Sequence, residues 1–252
     1  MFKIGAQLII WGQRIFSDFP SVLDEVAGIG YDGIETNWKV LLKWNNSKIL
    51  LENRGLSLVS MHALIGELYD RENVERILEL SERLESKYIA ISGIGHASRT
   101  DKITRDIEIL DGFSKEAKKR GVKVCYHNHD WEFRNNILRE LLDKTDSDTV
   151  KLCVDIFWLR YARQDPVTFL KRYAERIGYI HLKDGVLETE EPNKFRELGR
   201  GDMNIPSILQ AIMGSKIKWL VIEQDKTDKK PEISMKISYE YLVNQLKSLY
   251  VV

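Results

Sequence analysis

Short apolar or β-branched runs recur along the chain at fairly even intervals. They are residues 3–11 (KIGAQLIIW), 32–38 (DGIETNW), 56–64 (LSLVSMHAL), 87–94 (KYIAISGI), 122–129 (VKVCYHNH), 150–158 (VKLCVDIFW), 177–184 (IGYIHLKD) and 218–225 (KWLVIEQD). Between them lie charged segments whose apolar residues are spaced by three and four, such as 72–86 and 106–121, the period of an amphipathic helix. Asp18 with Pro20, and Asp165 with Pro166, mark helix starts; Gly30 and Gly121 fall where a helix has to stop before the next run. Strands alternating with helices form parallel βαβ units. Eight of them in 252 residues predict an α/β fold, a single-domain (β/α)8 TIM barrel over residues 1–252. An open doubly wound sheet is the alternative, but the turn WGQRIFSDFP after the first run lacks the glycine-rich phosphate loop of a dinucleotide fold.

Charge narrows the partners. With 38 basic and 38 acidic side chains the formal net charge is zero, and the visible basic residues are mixed with acids on helices, so no nucleic acid is expected. Cys125 and Cys153 lie inside apolar runs and no secretory signal is read, so buried thiols and a cytoplasmic location are expected. No apolar stretch reaches the length of a membrane span. The apolar stripe of residues 233–250 either packs on the barrel or forms a homodimer contact. The longest irregular piece, 185–203, is expected over the rim where a barrel places its chemistry.

Nearly every run ends in a polar or titratable group: Glu35, His62, His127 with His129, Asp155, His181 with Lys183 and Asp184, and Glu223 with Asp225. His127, Asp155, His181 and Glu223 each follow an apolar stretch of similar length, which places them at one depth in adjacent parallel strands. A barrel layer of two imidazoles and two carboxylates is no ordinary core, because unpaired buried charge costs more than packing returns. A divalent cation resolves that cost, and a mixed oxygen and nitrogen set suits Mn²⁺, Mg²⁺, Co²⁺ or Zn²⁺. Other positions stay open. His62 is a substrate contact or a satisfied histidine, and Glu35 a substrate contact or the partner of a barrel cation. Asp184 and Asp225 read as caps or loop anchors, and His96 as a solvent-exposed residue in preference to a substrate contact at the rim. Trp11, Trp38, Trp131 and Trp158 fall at or just past strand ends, where an aromatic face either stacks on a sugar or packs in the core.

The segments GYDGIE, CYHNHDWEF, LCVDIFW, IHLKD, ELGRGDMNIPSIL and VIEQD together resemble the xylose isomerase-like TIM-barrel superfamily of sugar phosphate isomerases, epimerases and inosose dehydratases. The resemblance implies one divalent metal ion, Mn²⁺ by preference, on Asp155, His181 and Glu223. Where the epimerases carry a glutamate on the fifth strand, this chain reads His127-Asn128-His129. His127 is then the fourth ligand, or a base beside a three-ligand metal. The implied chemistry is enolisation of a small sugar or keto-sugar through an enediolate, giving an isomerase or epimerase, with an inosose dehydratase-like or keto-sugar lyase as the alternative. Glu223, His127, Glu132 and Lys183 are the implied acid–base groups, and His62, His129, Glu35, Trp158 and Trp11 the implied substrate contacts. Lys183 is either a hydroxyl partner or an ion pair with Asp184. A non-catalytic sugar-binding barrel ranks behind both enzymes, and an endonuclease IV-like nuclease last, since neutral charge argues against DNA.

Overall fold

In the computed structural model, which describes residues 2–96, 100–134 and 136–250, eight parallel strands close into a barrel. They are β1 (Lys3–Gln7), β2 (Gly33–Asn37), β3 (Ser57–Leu64), β4 (Tyr88–Ser92), β5 (Lys123–His127), β6 (Val150–Asp155), β7 (Ile177–Leu182) and β10 (Trp219–Ile222). The short pair β8 (Asp184–Gly185) and β9 (Phe195–Arg196) lies outside the barrel. Neighbours around the barrel run β1, β10, β7, β6, β5, β4, β3, β2, so each strand pairs with its predecessor and β10 closes on β1. All eight runs read from the sequence contribute one barrel strand each, and the open-sheet alternative falls away.

Strand-to-strand order follows from the helical returns between them. The helix Arg71–Arg83 starts at Asp70, whose side chain accepts from the Glu72 N–H, and buries Val74, Ile77 and Leu78 against the barrel. Each such aliphatic side chain contributes about 1.5–3 kcal/mol on leaving water. The helix Phe19–Ile29 stops at Gly30, whose φ of 112° is left-handed backbone that glycine adopts without strain. The strands pack closely where side chains are small: a Cβ on Gly33 would stand 2.5 Å from the Ser57 carbonyl oxygen. The barrel interior below its polar end is plugged by Val59, Ala90, Cys125, Cys153, Tyr179 and Trp219.

The first and sixth runs each bend into helix before they end. The run 3–11 bends after Gln7 because its side-chain oxygen accepts from the Ile9 N–H at 2.5 Å and caps a 3₁₀ turn, Leu8–Trp11. The run 150–158 becomes the helix Ile156–Tyr161 because Asp155 Oδ1 accepts from the Trp158 N–H at 3.0 Å. Apolarity is continuous through both bends, so only the capping chemistry marks them. Segment 185–203 is more ordered than its composition implies. The Asp184 carboxylate accepts from the N–H groups of Gly185, Gly199, Gly201 and Met203 at 2.8–3.2 Å. At Gly201 a Cβ would meet Asp184 Oδ1 at 2.2 Å, so this cradle has no room for another side chain. The C-terminal helix, Pro231–Tyr250, turns Met235, Leu242 and Leu246 inward. It is tied to the first helical return by Tyr31 donating to the Met235 carbonyl and Tyr239 to that of Gly30. Among the described residues no helix is long and apolar enough to cross a membrane.

Candidate active site

Register brings the polar strand ends together: His127 pairs with Cys153 across β5 and β6, and Asp155 with His181 across β6 and β7. One ligand atom from each of His127, Asp155, His181 and Glu223 lies within 4.8 Å of the others, and all four residues are buried. Their fit to a divalent ion rests on atoms that the protein leaves unsatisfied. Asp155 Oδ2, His181 Nδ1 and Glu223 Oε2 are buried without a hydrogen-bond partner among the described residues. His181 Nδ1 stands 2.5 Å from Glu223 Oε2, so the imidazole and the carboxylate are in direct contact inside the cluster.

The ring of His181 is fixed from behind. Its Nε2 lies 3.0 Å from Glu35 Oε2, which also accepts from the Tyr179 hydroxyl at 2.6 Å. In the neutral ring, an Nε2–H held by a carboxylate leaves the Nδ1 lone pair facing the cluster, as carboxylates behind metal-bound histidines do. Burial pushes the Glu35 carboxyl up, but His181 and His62 outweigh it and hold it at about 2. Burial pulls His181 down, yet Cys153, Glu35 and Glu223 raise it well above its ordinary value, so positive charge is favoured at this position. His127 is held well below its ordinary value by burial and by the imidazoles of His129 and His181, which favours the neutral ring with one nitrogen lone pair available. Burial raises Asp155, while Lys183 and His181 overcome burial at Glu223 and hold that carboxyl down.

Lys183 is fully buried beside this set. Its Nζ is 3.2 Å from Asp155 Oδ2, 3.4 Å from Glu223 Oε2 and 3.1 Å from Asp225 Oδ1. The alternative, an ion pair with Asp184, is not seen among the described residues, because that buried carboxylate anchors the loop at residues 199–203. Trp158 packs its ring 5.3 Å from the Lys183 ammonium, and Phe195 of β9 lies 5.4 Å from it on the loop that sequence placed over the rim.

A cavity of about 950 Å³ opens above the donors. His127 and Glu223 face it from the side of the four donors, joined by His62, His129 and Asp225, with Trp131 and His96 at the β4–β5 side. His96 is exposed as expected, but it stands at the cavity mouth with its ring 4.8 Å from Trp131. His129 stacks on Trp131 with ring centroids 4.0 Å apart, and its Nδ1 is buried with no hydrogen-bond partner among the described residues. The opposite wall is apolar, made by Ile9, Phe16, Leu64 and Ile65.

Several sequence candidates lie elsewhere. Glu35 is buried beneath the cavity, where it orients His181 and His62. Glu132 accepts from the Tyr126 hydroxyl and the His129 N–H, at 2.8 and 2.9 Å, and so holds the turn after β5 from below. Trp11 donates to Glu25 at 2.7 Å and Trp38 to Glu67 at 3.0 Å, both buried away from the cavity. Of the four tryptophans at strand ends, Trp131 is the one on the cavity wall. Gln7, Asn37 and Ser92 also line it and were not singled out from the sequence, although each ends or nearly ends its strand as the chosen residues do. Asn128 had no sequence signal at all. Its side chain accepts from the Asp155 N–H and donates to the Asp155 carbonyl, locking the ends of β5 and β6.

Comparison with known proteins agrees with this fold. The chain is 28% identical to the inosose dehydratase of Geobacillus kaustophilus (strain HTA426), covering 96% of this chain and 94% of that protein. A sugar phosphate isomerase/epimerase from Parabacteroides distasonis superposes with a TM-score of 0.78 at 22% identity, covering 96% of this chain and 93% of that one. The IolI protein, solved with a bound zinc atom, superposes with a TM-score of 0.77 at 16% identity, covering 98% and 99%. The model of one family, the xylose isomerase-like TIM barrel, spans residues 23–243 and therefore includes every donor just described, and it is to this family that the chain belongs.

Proposed function

We propose that the protein is a divalent-metal-dependent enzyme that enolises a small keto-sugar, working as an isomerase or epimerase. One observation carries the reading: four buried donors, three of them with an atom that has no hydrogen-bond partner among the described residues, converge at the floor of a cavity whose polar side is built from histidines and carboxylates. His127, Asp155, His181 and Glu223 would hold the ion, with Mn²⁺ preferred and Mg²⁺, Co²⁺ or Zn²⁺ accepted by the same donors. When bound, the ion supplies Lewis acidity toward a carbonyl and its neighbouring hydroxyl.

The remaining work falls to side chains. Glu223 stands at the β10 edge of the cavity and His129 at the β5 edge, so a substrate between them meets a proton acceptor on each face. Glu223 removes the proton next to the carbonyl, and Lys183, 3.4 Å away, holds the Glu223 carboxylate in position. Return of a proton from His129 to the opposite face inverts the carbon. His62, Asn37 and Gln7 bind hydroxyls, and Trp131 takes the C–H face of the sugar.

A second reading, elimination of a β-hydroxyl, is favoured by one feature: β5 ends in imidazoles, and a histidine near neutral pH is a competent acid toward a leaving hydroxyl. The relative named inosose dehydratase supports the same reading. Incubation of Mn²⁺-loaded protein with ketohexoses, 3-keto-glucosides and inososes in deuterium oxide, followed by NMR, separates the two. Label beside the carbonyl with an inverted or isomerised product supports the first; loss of water with an unsaturated product supports the second. No label in any substrate sinks both.

A further inference from the structure

One layer below Asp155, a cysteine forms a second donor set with two of the four residues above it. Cys153 precedes Asp155 by two residues on β6, so both side chains point into the barrel at successive depths. Its Sγ lies 3.8 Å from His127 Nδ1, and ligand atoms of His127, Cys153 and His181 all fall within 4.8 Å of one another. All three residues are buried, and Cys153 belongs to the apolar plug and not to the cavity wall. We propose that His127, Cys153 and His181 form a deeper metal position that takes a thiophilic ion, such as Cd²⁺ or Zn²⁺, in place of the ion held by the four-donor set.

Donor chemistry separates the two positions. Two imidazoles with a thiolate select soft or borderline ions, whereas two imidazoles with two carboxylates suit Mn²⁺ and Mg²⁺. Both sets use the same histidines, and two dications a few ångströms apart in a buried site repel strongly, so one ion at a time is held. On binding, the Cys153 thiol loses its proton to solvent and the sulfur bonds to the metal. An ion at that depth is withdrawn from the cavity and draws His127 and His181 with it, so thiophilic ions would act as inhibitors that compete with Mn²⁺. This inference stands on the donor geometry and does not depend on which reaction the cavity hosts.

The test uses metal-stripped, full-length protein titrated with Cd²⁺ while thiolate-to-cadmium charge-transfer absorption is followed in the ultraviolet. The wild type and Cys125→Ser should both develop the band to saturation at one ion per chain, and Cys153→Ser should lack it. Cys125 is the control because it is equally buried but lies outside the donor set. Wild type preloaded with Cd²⁺ should also leave added Mn²⁺ with the paramagnetic resonance spectrum of the free ion, a readout that needs no variant to fold. Stoichiometric Cd²⁺ uptake without the band, a band that survives Cys153→Ser, or simultaneous binding of both ions overturns the proposal. Retention of the cadmium band in a protein that never binds Mn²⁺ would count against the proposed function alone.

Discussion

At the scale of single residues, the site is organised by groups that never reach the cavity. Glu35 is the clearest case, since it fixes the His181 ring through Nε2 and approaches His62 Nδ1 at 3.4 Å. Replacing Glu35 with Gln should keep the fold but weaken Mn²⁺ binding by roughly 10–100-fold, the usual effect of losing an outer-sphere carboxylate. Calorimetric titration reads this directly, and unchanged affinity would remove Glu35 from the account. Asn128 supplies a second test. Asn128→Ala frees the Asp155 backbone from its clamp, so metal affinity should fall while thermal stability drops by about 1–3 kcal/mol, because a buried N–H is left unpaired. The sequence made the donors legible because a charged residue after an apolar strand is conspicuous. It concealed their supports, because Glu35 and Glu132 look the same in a sequence whether they face a substrate or a neighbouring ring.

At the scale of elements, capping chemistry decides where strands stop and what the loops become. The loop 199–203 is held by one carboxylate, Asp184, accepting from three of its backbone N–H groups and from that of Gly185. Asp184→Ala should destabilise the protein by about 1–3 kcal/mol and expose residues 185–203 to limited proteolysis, whereas Asp184→Asn should recover part of the loss. Gly201→Ala should resemble Asp184→Ala, since its methyl group would occupy the space of the carboxylate; a fully stable Gly201→Ala would contradict this picture of the loop. A pH effect is expected at the end of β3. Burial raises the Glu67 carboxyl, but Lys39, the Leu64 N–H and Trp38 outweigh burial and hold it below its ordinary value. A depressed folded value means that the stabilisation is fully present above the unfolded value, about 4.3, and is lost as pH falls through the folded value. Urea midpoints that decline with acidity less steeply in Glu67→Gln than in wild type would bear this out. Periodicity was enough to read the strands and helices, but the order of residues 185–203 escaped it because it comes from one side chain bridging distant glycines.

At the scale of the whole molecule, the barrel sets the chemistry by depth: an apolar plug, a layer of imidazoles and carboxylates, then an open cavity with one polar and one apolar wall. That layering was legible from the sequence because adjacent parallel strands in register convert equal run length into equal height. The cavity's shape was not, since Ile9, Phe16 and Leu64 read as ordinary core residues until the turns after β1 and β3 aim them at the same space. The central claim is that His127, Asp155, His181 and Glu223 act as one metal site. Calorimetric titration of metal-stripped wild type and Asp155→Ala with Mn²⁺, each verified as folded by circular dichroism, tests it most directly. The account predicts one ion bound per wild-type chain and no measurable binding in the variant. Equal binding by both proteins, or none by the wild type, would contradict it.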